Sequence, residues 1–246
     1  MIETVTIVTP TTGAKYLKDN IESVQKQTHK HVQHLIFVDG KEHLNKVSDI
    51  ISSIPNLKNN IDIIPLPYSV GKDRYNGHRM YGASPYFCKG DFICFLDEDN
   101  WIDENHVESL LIAASGKSWA FSMRKIVDSE GNFVCNDDCE SLGKYPSILD
   151  ESDYFIDVNC FFLSKELALQ TSPIWYRKAR EPGVPEVDRF LTAVLRNNNL
   201  AFESSGKYTV NYRAGNTDLS VKKEFFVEGN KKMLQKHNGT LPWRSL

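Results

Sequence analysis

The chain has 246 residues, of which 41% are hydrophobic and 25% are charged, and its formal net charge at pH 7 is -3. These values are ordinary for a globular protein with one large domain or two small ones. The small negative charge excludes a protein-wide basic field that would recruit nucleic acid or an anionic membrane surface.

Cysteine usage and hydropathy bear on where the protein works. Five cysteines, an odd number, favour a reducing compartment over a disulfide framework. Cys135 and Cys139 are not followed by a second Cys/His pair at zinc-site spacing, which disfavours a structural zinc. No apolar run approaches the roughly 18 residues of a membrane-spanning helix, and the N-terminus lacks a signal-peptide pattern. We therefore expect a cytoplasmic protein without a membrane span.

The first hundred residues alternate predicted strands with predicted helices. Short apolar, β-rich runs predict strands at 5–9, 35–38, 61–64 and 92–96. Apolar residues at helical spacing predict helices at 16–24 and 44–54, with part of 74–88 also helical. This alternation indicates a parallel sheet with helices on both faces.

The second half of the chain reads differently. A helix is predicted at 107–114, with Asp103 as a candidate N-cap, and two strands flank a Gly/Asn turn within 126–134. Further elements are a strand at 158–163, a helix at 187–195, a strand at 208–212 and a helix at 225–237. We expect one α/β domain whose first half is parallel and whose second half is mixed.

An acidic cluster closes the fourth predicted strand. The apolar run Phe92–Leu96 ends in Asp97, Glu98 and Asp99. Carboxylates crowded in this way repel one another unless a cation is present, and oxygen ligands suit Mg²⁺ or Mn²⁺. The alternative is a solvated acidic turn ahead of a helix.

Polar residues also follow the first two predicted strands. Thr9–Pro10–Thr11 closes the first strand and Asp39 closes the second. Ligands of parallel α/β sheets bind beyond the carboxyl ends of the strands. We therefore expect these residues and the acidic cluster to converge on one crevice.

Three ordered segments now resemble the family 2 glycosyltransferases, whose catalytic domains have the GT-A fold. Val5–Thr11 is similar to their first strand and its nucleotide-contacting turn. Ser23–Thr28 followed by Leu35–Gly40 is similar to their helix-to-strand segment, and Lys89–Asp99 to the strand that leads into their D-x-D motif. The resemblance covers residues 2–105 strongly and 158–220 more weakly.

The resemblance implies a GT-A (Rossmann-like) mixed sheet in a single domain of residues 1–246. About 1–105 would form the parallel, nucleotide-sugar-binding half, flanked by helices, and about 106–246 the acceptor-binding half. The implied activity is inverting, metal-dependent transfer of a sugar from a nucleotide-diphosphate donor, with UDP favoured, to an acceptor hydroxyl during glycan or polysaccharide synthesis. The implied cofactor is Mn²⁺ or Mg²⁺.

The resemblance also implies a donor site. Its nucleotide-sugar residues would be Thr9, Pro10, Thr11, Asp39, Arg79 and Asp97. Asp39 would accept from the base, Asp97 would hold ribose or sugar hydroxyls, and Asp99 would bind the metal. Glu98 would point away from the site. The simpler alternatives are a turn residue at Asp39, a helix cap at Thr11 and a solvated basic helix face at Arg79.

An inverting transferase also needs a general base for the acceptor hydroxyl. By resemblance this is Asp188, at the start of the helix predicted at 187–195. Val187 stands where a Glu-Asp pair is usual in the family, so Glu186 is a competing candidate. The alternative is that these carboxylates only complement the helix dipole.

Two further segments leave alternatives open. Segment 212–220 lacks the histidine that many relatives carry, so water or Asn216 would complete the metal shell. The aromatic and basic segment Trp175–Gly183 reads equally as a loop that covers the donor or as Trp175 packing in the core.

Three rival functions remain. A GT-A-like nucleotidyltransferase would need a Gly-rich basic loop after the first strand, which Thr11–Lys15 matches only faintly. A sugar-binding relative would have lost the base. The acceptor would otherwise be nucleic acid or protein; the net charge disfavours nucleic acid, whereas the basic residues of Trp175–Arg180 favour it.

Overall fold

The computed structural model describes residues 2–58, 60–178, 186–198, 200–216 and 220–245. Within these residues the strands form one nine-stranded sheet in the order β3-β2-β1-β4-β8-β6-β9-β5, with β7 paired to β6. The strands are β1 (Val5–Thr11), β2 (Val32–Val38), β3 (Asn60–Pro65), β4 (Phe92–Phe95), β5 (Trp101–Ile102), β6 (Trp119–Val127), β7 (Phe133–Asn136), β8 (Phe161–Ser164) and β9 (Phe202–Arg213).

Helices flank this sheet. They are α1 (Leu17–Gln25), α2 (Leu44–Ser52), α3 (His78–Ala83), α4 (His106–Ala113), α5 (Lys165–Thr171), α6 (Val187–Asn197) and α7 (Lys223–Lys236). In the described part of the chain, no helix is both long and apolar enough to cross a membrane.

The first four strands form the parallel part of the sheet. β1 lies between β2 and β4, and β2 pairs with β3, all in parallel. Every residue of β1 and β2 is buried. Strands covered on both faces read as continuous apolar runs, which is why the sequence predicted them. Since Val8 pairs with Phe95, the carboxyl ends of β1 and β4 lie side by side.

The rest of the sheet is mixed, as predicted. β8 runs antiparallel to both β4 and β6, whereas β6 and β9 pair in parallel. The two residues of β5 pair antiparallel with β9. This last pairing brings the chain that follows the acidic cluster against the end of β9.

Two local expectations need correction. Asp103 does not cap α4: the N-cap is Asn105, and the Asp103 carboxylate instead pairs with Lys125 at 2.5 Å. The predicted strand at 158–163 begins as a 3-10 turn at Val158–Cys160, because the Asp157 side chain accepts from the Asn159 backbone and caps that turn. Only Phe161–Ser164 is strand.

Candidate active site

The first carboxylate of the acidic cluster, Asp97, is held by neutral donors. Its Oδ1 accepts from the Tyr81 hydroxyl at 2.5 Å, and its Oδ2 accepts from Asn159 Nδ2 at 3.1 Å. The Asp97 backbone N–H also donates to Asn159 Oδ1, at 2.7 Å. β4 therefore delivers Asp97 to the sheet edge in a fixed orientation, supported by α3 and by the turn before β8.

The third carboxylate of the cluster, Asp99, lies against the end of β9. It accepts from Asn216 Nδ2, while its backbone oxygen accepts from Arg213 Nε at 3.1 Å. Arg213 N–H donates to Asn100 Oδ1 at 2.9 Å. The turn that carries the cluster is thus tied to the chain more than a hundred residues later.

The cluster is electrostatically unfavourable for negative charge. Burial, with the neighbouring Asp99 as the next cause, raises the pKa of Asp97 to about 7. Burial also raises the pKa of Asp99. Within the described residues no lysine or arginine forms an ion pair with either carboxylate. A cation bound here would offset the cost of burying the two charges and would reduce the repulsion between them.

The residues present fit a divalent cation that is shared with a substrate. No set of three or more His, Cys, Asp or Glu side chains in the described ranges is arranged to hold a metal ion. Mg²⁺ is commonly bound by one or two carboxylates together with substrate phosphates and water. Asp99 is placed to supply such a carboxylate, and the amide of Asn216 already occupies one side of it.

The middle carboxylate, Glu98, faces the loop between β1 and α1. It accepts from the Thr11 hydroxyl, from the Thr12 hydroxyl at 3.2 Å and from the Ala14 backbone N–H at 2.8 Å. Glu98 therefore turns away from Asp97 and Asp99, and its hydrogen bonds hold the carboxyl end of β1 in place. Thr11 is correspondingly buried, with its hydroxyl engaged.

The other two predicted residues of the β1 end differ in position. The Thr9 hydroxyl lies 3.0 Å from His34 Nε2 and 3.3 Å from Asn20 Oδ1, inside the layer between α1 and β2. The structure does not bring this side chain to the crevice. Pro10 packs against Gly77, which lines the cleft beside Asp97: a Cβ on Gly77 would come within 2.8 Å of Pro10 Cγ.

The Asp39 carboxylate, at the end of β2, holds a loop. It accepts from Val70 N–H at 2.6 Å, from Gly71 N–H at 3.1 Å and from the Ser69 hydroxyl at 2.8 Å. A Cβ at Gly71 would approach Asp39 Oδ2 to 2.7 Å, so the close contact requires glycine. The carboxylate thus fixes the position of Ser69–Gly71 relative to the end of β2.

Arg79 lies apart from the acidic cluster. Its guanidinium stacks over the Tyr75 ring at 3.4 Å and is 4.9 Å from the Tyr176 ring. It lines a largely apolar cavity of about 580 Å³ on the outer side of α3, rather than the cleft beside Asp97. The structure does not bring Arg79 together with the carboxylates that would face a diphosphate.

A cleft of about 340 Å³ joins Asp97 to the start of α6. Both Glu186 and Asp188 line it, so the structure brings the two candidate bases and the β4 carboxylate together. Burial, followed by the charge of Asp157, raises the pKa of Asp188 to about 8. A carboxyl group with this pKa accepts a proton readily near neutral pH.

Trp175 bears on the two alternatives for the segment Trp175–Gly183, a loop that covers the donor or packing of Trp175 in the core. It is 1% exposed and packs edge-on against Phe95 with ring centres 4.9 Å apart, so it belongs to the core while also forming a cleft wall. Tyr176 is 68% exposed. The part of the predicted loop at 179–183 lies outside the described residues.

Sequence reasoning missed a buried ionic cluster beside the cleft. Arg124 is 2% exposed and is paired with the carboxylates of Asp137, Glu140 and Asp157. Its partners come from two stretches of the chain, around Asp137–Glu140 and at Asp157, and neither adjoins Arg124 in the sequence, so no local spacing could reveal the set. The one available signal was the polar pair at Asp157 and Asn159, directly before an apolar run.

Comparisons with known proteins define the class. The family model for glycosyl transferase family 2 matches residues 6–132, which is half of the chain. The chain belongs to glycosyl transferase family 2. The sequence-based prediction of a family 2 glycosyltransferase is therefore confirmed. A search of curated proteins found no match.

Solved structures of TarS from S. aureus share the fold. The structure of TarS 1–349 matches with a TM-score of 0.60 at 17% identity, covering 85% of this chain and 60% of that one. Its complex with UDP-GlcNAc matches with a TM-score of 0.62 at 15% identity, covering 87% and 60%. Its complex with UDP matches with a TM-score of 0.60 at 16% identity, covering 96% and 72%.

The chain spans 60% of the TarS 1–349 structure and 37% of a longer TarS structure. At these identities the likeness establishes the architecture alone. The predicted GT-A mixed sheet, with its parallel N-terminal half flanked by helices, is confirmed.

Proposed function

We propose that this chain is an inverting, metal-dependent glycosyltransferase that moves a sugar from a UDP-sugar to an acceptor hydroxyl. The observation that carries the proposal is the cleft that Asp97 and Asp188 line together, at the carboxyl end of β4. One carboxylate faces the donor side and the other the acceptor side. UDP is the donor nucleotide we propose, because the TarS structures of the same fold hold UDP-GlcNAc and UDP.

On the donor side we assign Asp99 to the metal and Asp97 to ribose or sugar hydroxyls. A divalent cation bound there would stabilise the negative charge that develops on the leaving diphosphate. Asp97 has its orientation set by Tyr81 and Asn159, so it can accept from a sugar hydroxyl without rearranging. Asn216, in the segment that lacks the histidine expected by resemblance, donates to the Asp99 carboxylate.

The nucleotide wall is built by the ends of β1 and β2. We assign Pro10 and the loop Ser69–Gly71 to contact the base and ribose, with Asp39 shaping that loop through its three donors. Thr11 and Glu98 fix the β1 end. Thr9 is left out of this proposed wall because its side chain is engaged elsewhere, whereas Arg79 supports the wall by donating to the Val70 carbonyl oxygen at 3.3 Å.

On the acceptor side we assign Asp188 as the general base. As the acceptor oxygen attacks the sugar carbon, its proton passes to the Asp188 carboxylate, and the bond to the diphosphate breaks on the opposite face of the sugar. Burial of Asp188 supports this role, because it makes the carboxylate a stronger proton acceptor than an exposed aspartate. Glu186, on the same cleft, is the competing carboxylate.

The nucleotidyltransferase alternative is disfavoured by the loop after β1. A phosphate cradle there would need free backbone donors, but Thr12 and Ala14 N–H both point at the Glu98 carboxylate. A phosphate placed at these donors would meet a negative charge.

We further propose that 1–105 forms the donor half and 106–246 the acceptor half of a single domain.

A calorimetry and hydrolysis panel tests the proposal. UDP, GDP and ADP are titrated with and without Mn²⁺, and UDP release from UDP-GlcNAc and other UDP-sugars is then followed. We expect Mn²⁺-dependent binding of UDP, and loss of that dependence in Asp99→Asn. Equal UDP affinity with and without Mn²⁺ in the wild type would overturn metal dependence, and no nucleotide binding at all would overturn the transferase itself.

A further inference from the structure

The strongest unassigned feature is a continuous chain of polar contacts between the two sides of the cleft. Asn159 stands at one end, against Asp97. Arg189 stands at the other, next to Asp188 in the first turn of α6. Glu140, Arg124 and Asp157 connect them.

On the donor side, the Asn159 side chain contacts both Asp97 and Asp157. The Asn159 amide donates to Asp97 Oδ2 at 3.1 Å and to Asp157 Oδ1 at 2.8 Å, and its oxygen accepts from the Asp97 backbone N–H at 2.7 Å. Asn159 is fully buried, so these partners fix its orientation. One side chain thus sets both the backbone and the carboxylate of Asp97.

The contacts on the acceptor side pass through Glu140. Its Oε2 accepts from Arg124 Nη2 at 2.6 Å and its Oε1 accepts from Arg189 Nη2 at 2.6 Å, so both oxygens are taken by guanidinium groups. Arg189 also pairs with Asp153. The Arg189 backbone N–H donates to the Asp188 carboxylate at 2.8 Å. The start of α6 is therefore anchored beside its carboxylate.

The centre of the chain is the buried Arg124. It pairs with Asp157 on the donor side and with Glu140 on the acceptor side, and Asp137 takes its remaining donor at 2.8 Å. A buried guanidinium with three carboxylates is costly to desolvate, and replacing such groups with apolar side chains is often neutral or stabilising. Because the cluster lies between Asp97 and Asp188, it can orient these two carboxylates as well as contribute to stability.

We propose that Asn159 and Glu140 are positioning residues of the transferase: Asn159 orients Asp97 for the donor, Glu140 orients the start of α6, and so Asp188, for the acceptor, and Arg124 is their common anchor. The inference rests on the proposed function. It assigns the two residues different kinetic roles, because each serves a different substrate.

The test compares Asn159→Ala with Glu140→Gln. The probes are UDP with Mn²⁺ in calorimetry, and UDP release from UDP-GlcNAc with water as acceptor. We expect Asn159→Ala to weaken UDP binding by about 10–100-fold, the range for outer-shell partners of a site, with a smaller change in turnover at saturating donor. Glu140→Gln should keep UDP affinity within about twofold and lower turnover by about 10–100-fold.

Two further variants separate positioning from misfolding and from direct contact. Asp153→Asn removes the other partner of Arg189 without touching the cleft lining, so it should lower turnover in the same direction as Glu140→Gln, by less. Asp138→Asn is the matched control: Asp138 is equally buried and pairs with Arg244, outside the cleft, so the variant should retain both binding and turnover.

The outcomes separate this inference from the proposed function. A wild-type protein that neither binds UDP nor hydrolyses UDP-sugars overturns both. If the wild type both binds UDP and hydrolyses UDP-sugars, the positioning roles can be tested alone. They are overturned if Asn159→Ala and Glu140→Gln have the same effect on UDP affinity and the same effect on turnover. Loss of turnover in Asp138→Asn equal to that in Glu140→Gln would reduce the cluster to a general stabilising role.

Discussion

Two groups of carboxylates, each with at least one member that lines the cleft, have partners of different kinds. Asp137, Glu140 and Asp157 surround a buried arginine. Asp97 and Asp99 instead have amide and hydroxyl partners, and burial raises the pKa of both. A carboxylate that the protein has already paired with a cation holds the structure together, whereas one held only by neutral donors has an unfavourable buried charge that a bound cation or substrate can stabilise.

The largest effect expected from this contrast concerns Asp188, which also lines the cleft without an ion pair in the described residues. Asp188→Asn keeps the shape of the side chain but removes the proton acceptor. Turnover should fall by roughly 10²–10⁴, the usual contribution of a positioned general base, while UDP binding persists. Steady-state UDP release together with calorimetry checks both parts.

Glu186→Gln is the control for that variant, because Glu186 lines the same cleft. If Glu186→Gln abolishes transfer and Asp188→Asn does not, the base has been assigned to the wrong carboxylate. If neither variant slows transfer, the inverting mechanism is wrong.

The next largest effect belongs to the paired group. Arg124→Met removes the cation and leaves three buried carboxylates facing one another, which should lower the free energy of unfolding by about 3–5 kcal/mol. Lys231→Met, which breaks an exposed pair with Glu228, should leave the free energy of unfolding nearly unchanged. Urea denaturation of both variants measures the difference, and equal losses would contradict the contrast.

A smaller effect is expected at Asp39, whose carboxylate serves a loop rather than an ion. Asp39→Ala leaves the donors of Ser69, Val70 and Gly71 without their acceptor. UDP binding should weaken by about 1–3 kcal/mol, the cost of an unmatched buried polar partner. Amide exchange at Val70 and Gly71 should quicken in the variant. An unchanged UDP dissociation constant would separate this loop from the nucleotide wall.

The smallest effect is a pH dependence. Because the pKa of Asp188 is raised from 3.8 to about 8 in the fold, turnover should increase about tenfold per pH unit up to that value and then level off. The stability contributed by the protonated form is complete below pH 4 and is lost as pH rises through 8. Asp188→Asn should therefore gain stability relative to wild type as pH rises from 4 to 8.5, in thermal denaturation. A pH-independent gap between them would contradict the raised pKa.

The parallel half of the fold was accessible from the sequence because its signals are local. β1, β2 and β4 are buried runs that end in polar residues, and such runs can be found one strand at a time. The same locality placed Asp97 and Asp99 at a strand end. The apolar stripe of α6 predicted where that helix begins, and the resemblance to the family singled out Asp188 at its start.

The other side-chain roles were not accessible, because distant partners decide them. Thr9 and Arg79 have suitable chemistry and position in the chain, but His34 and Tyr75 engage their side chains. Glu98 points away from the site as expected, but its donors in the loop after β1 could not be predicted. Arg124 lies in a strand that gave no signal, and its three partners are 13, 16 and 33 positions away.

The hydrogen bonds that hold Asp99 and Asn100 against the end of β9 also bear on the order in which the protein folds during synthesis. Asn100 and Asp99 are held by residues 113 and 117 positions later in the chain. Contacts that span so many residues form slowly, because a long loop must close before they are gained. The parallel strands can pair while the chain is still emerging from the ribosome, but the acidic turn waits for β9. The nascent protein would therefore hold a nearly complete sheet before it holds a site able to bind its donor.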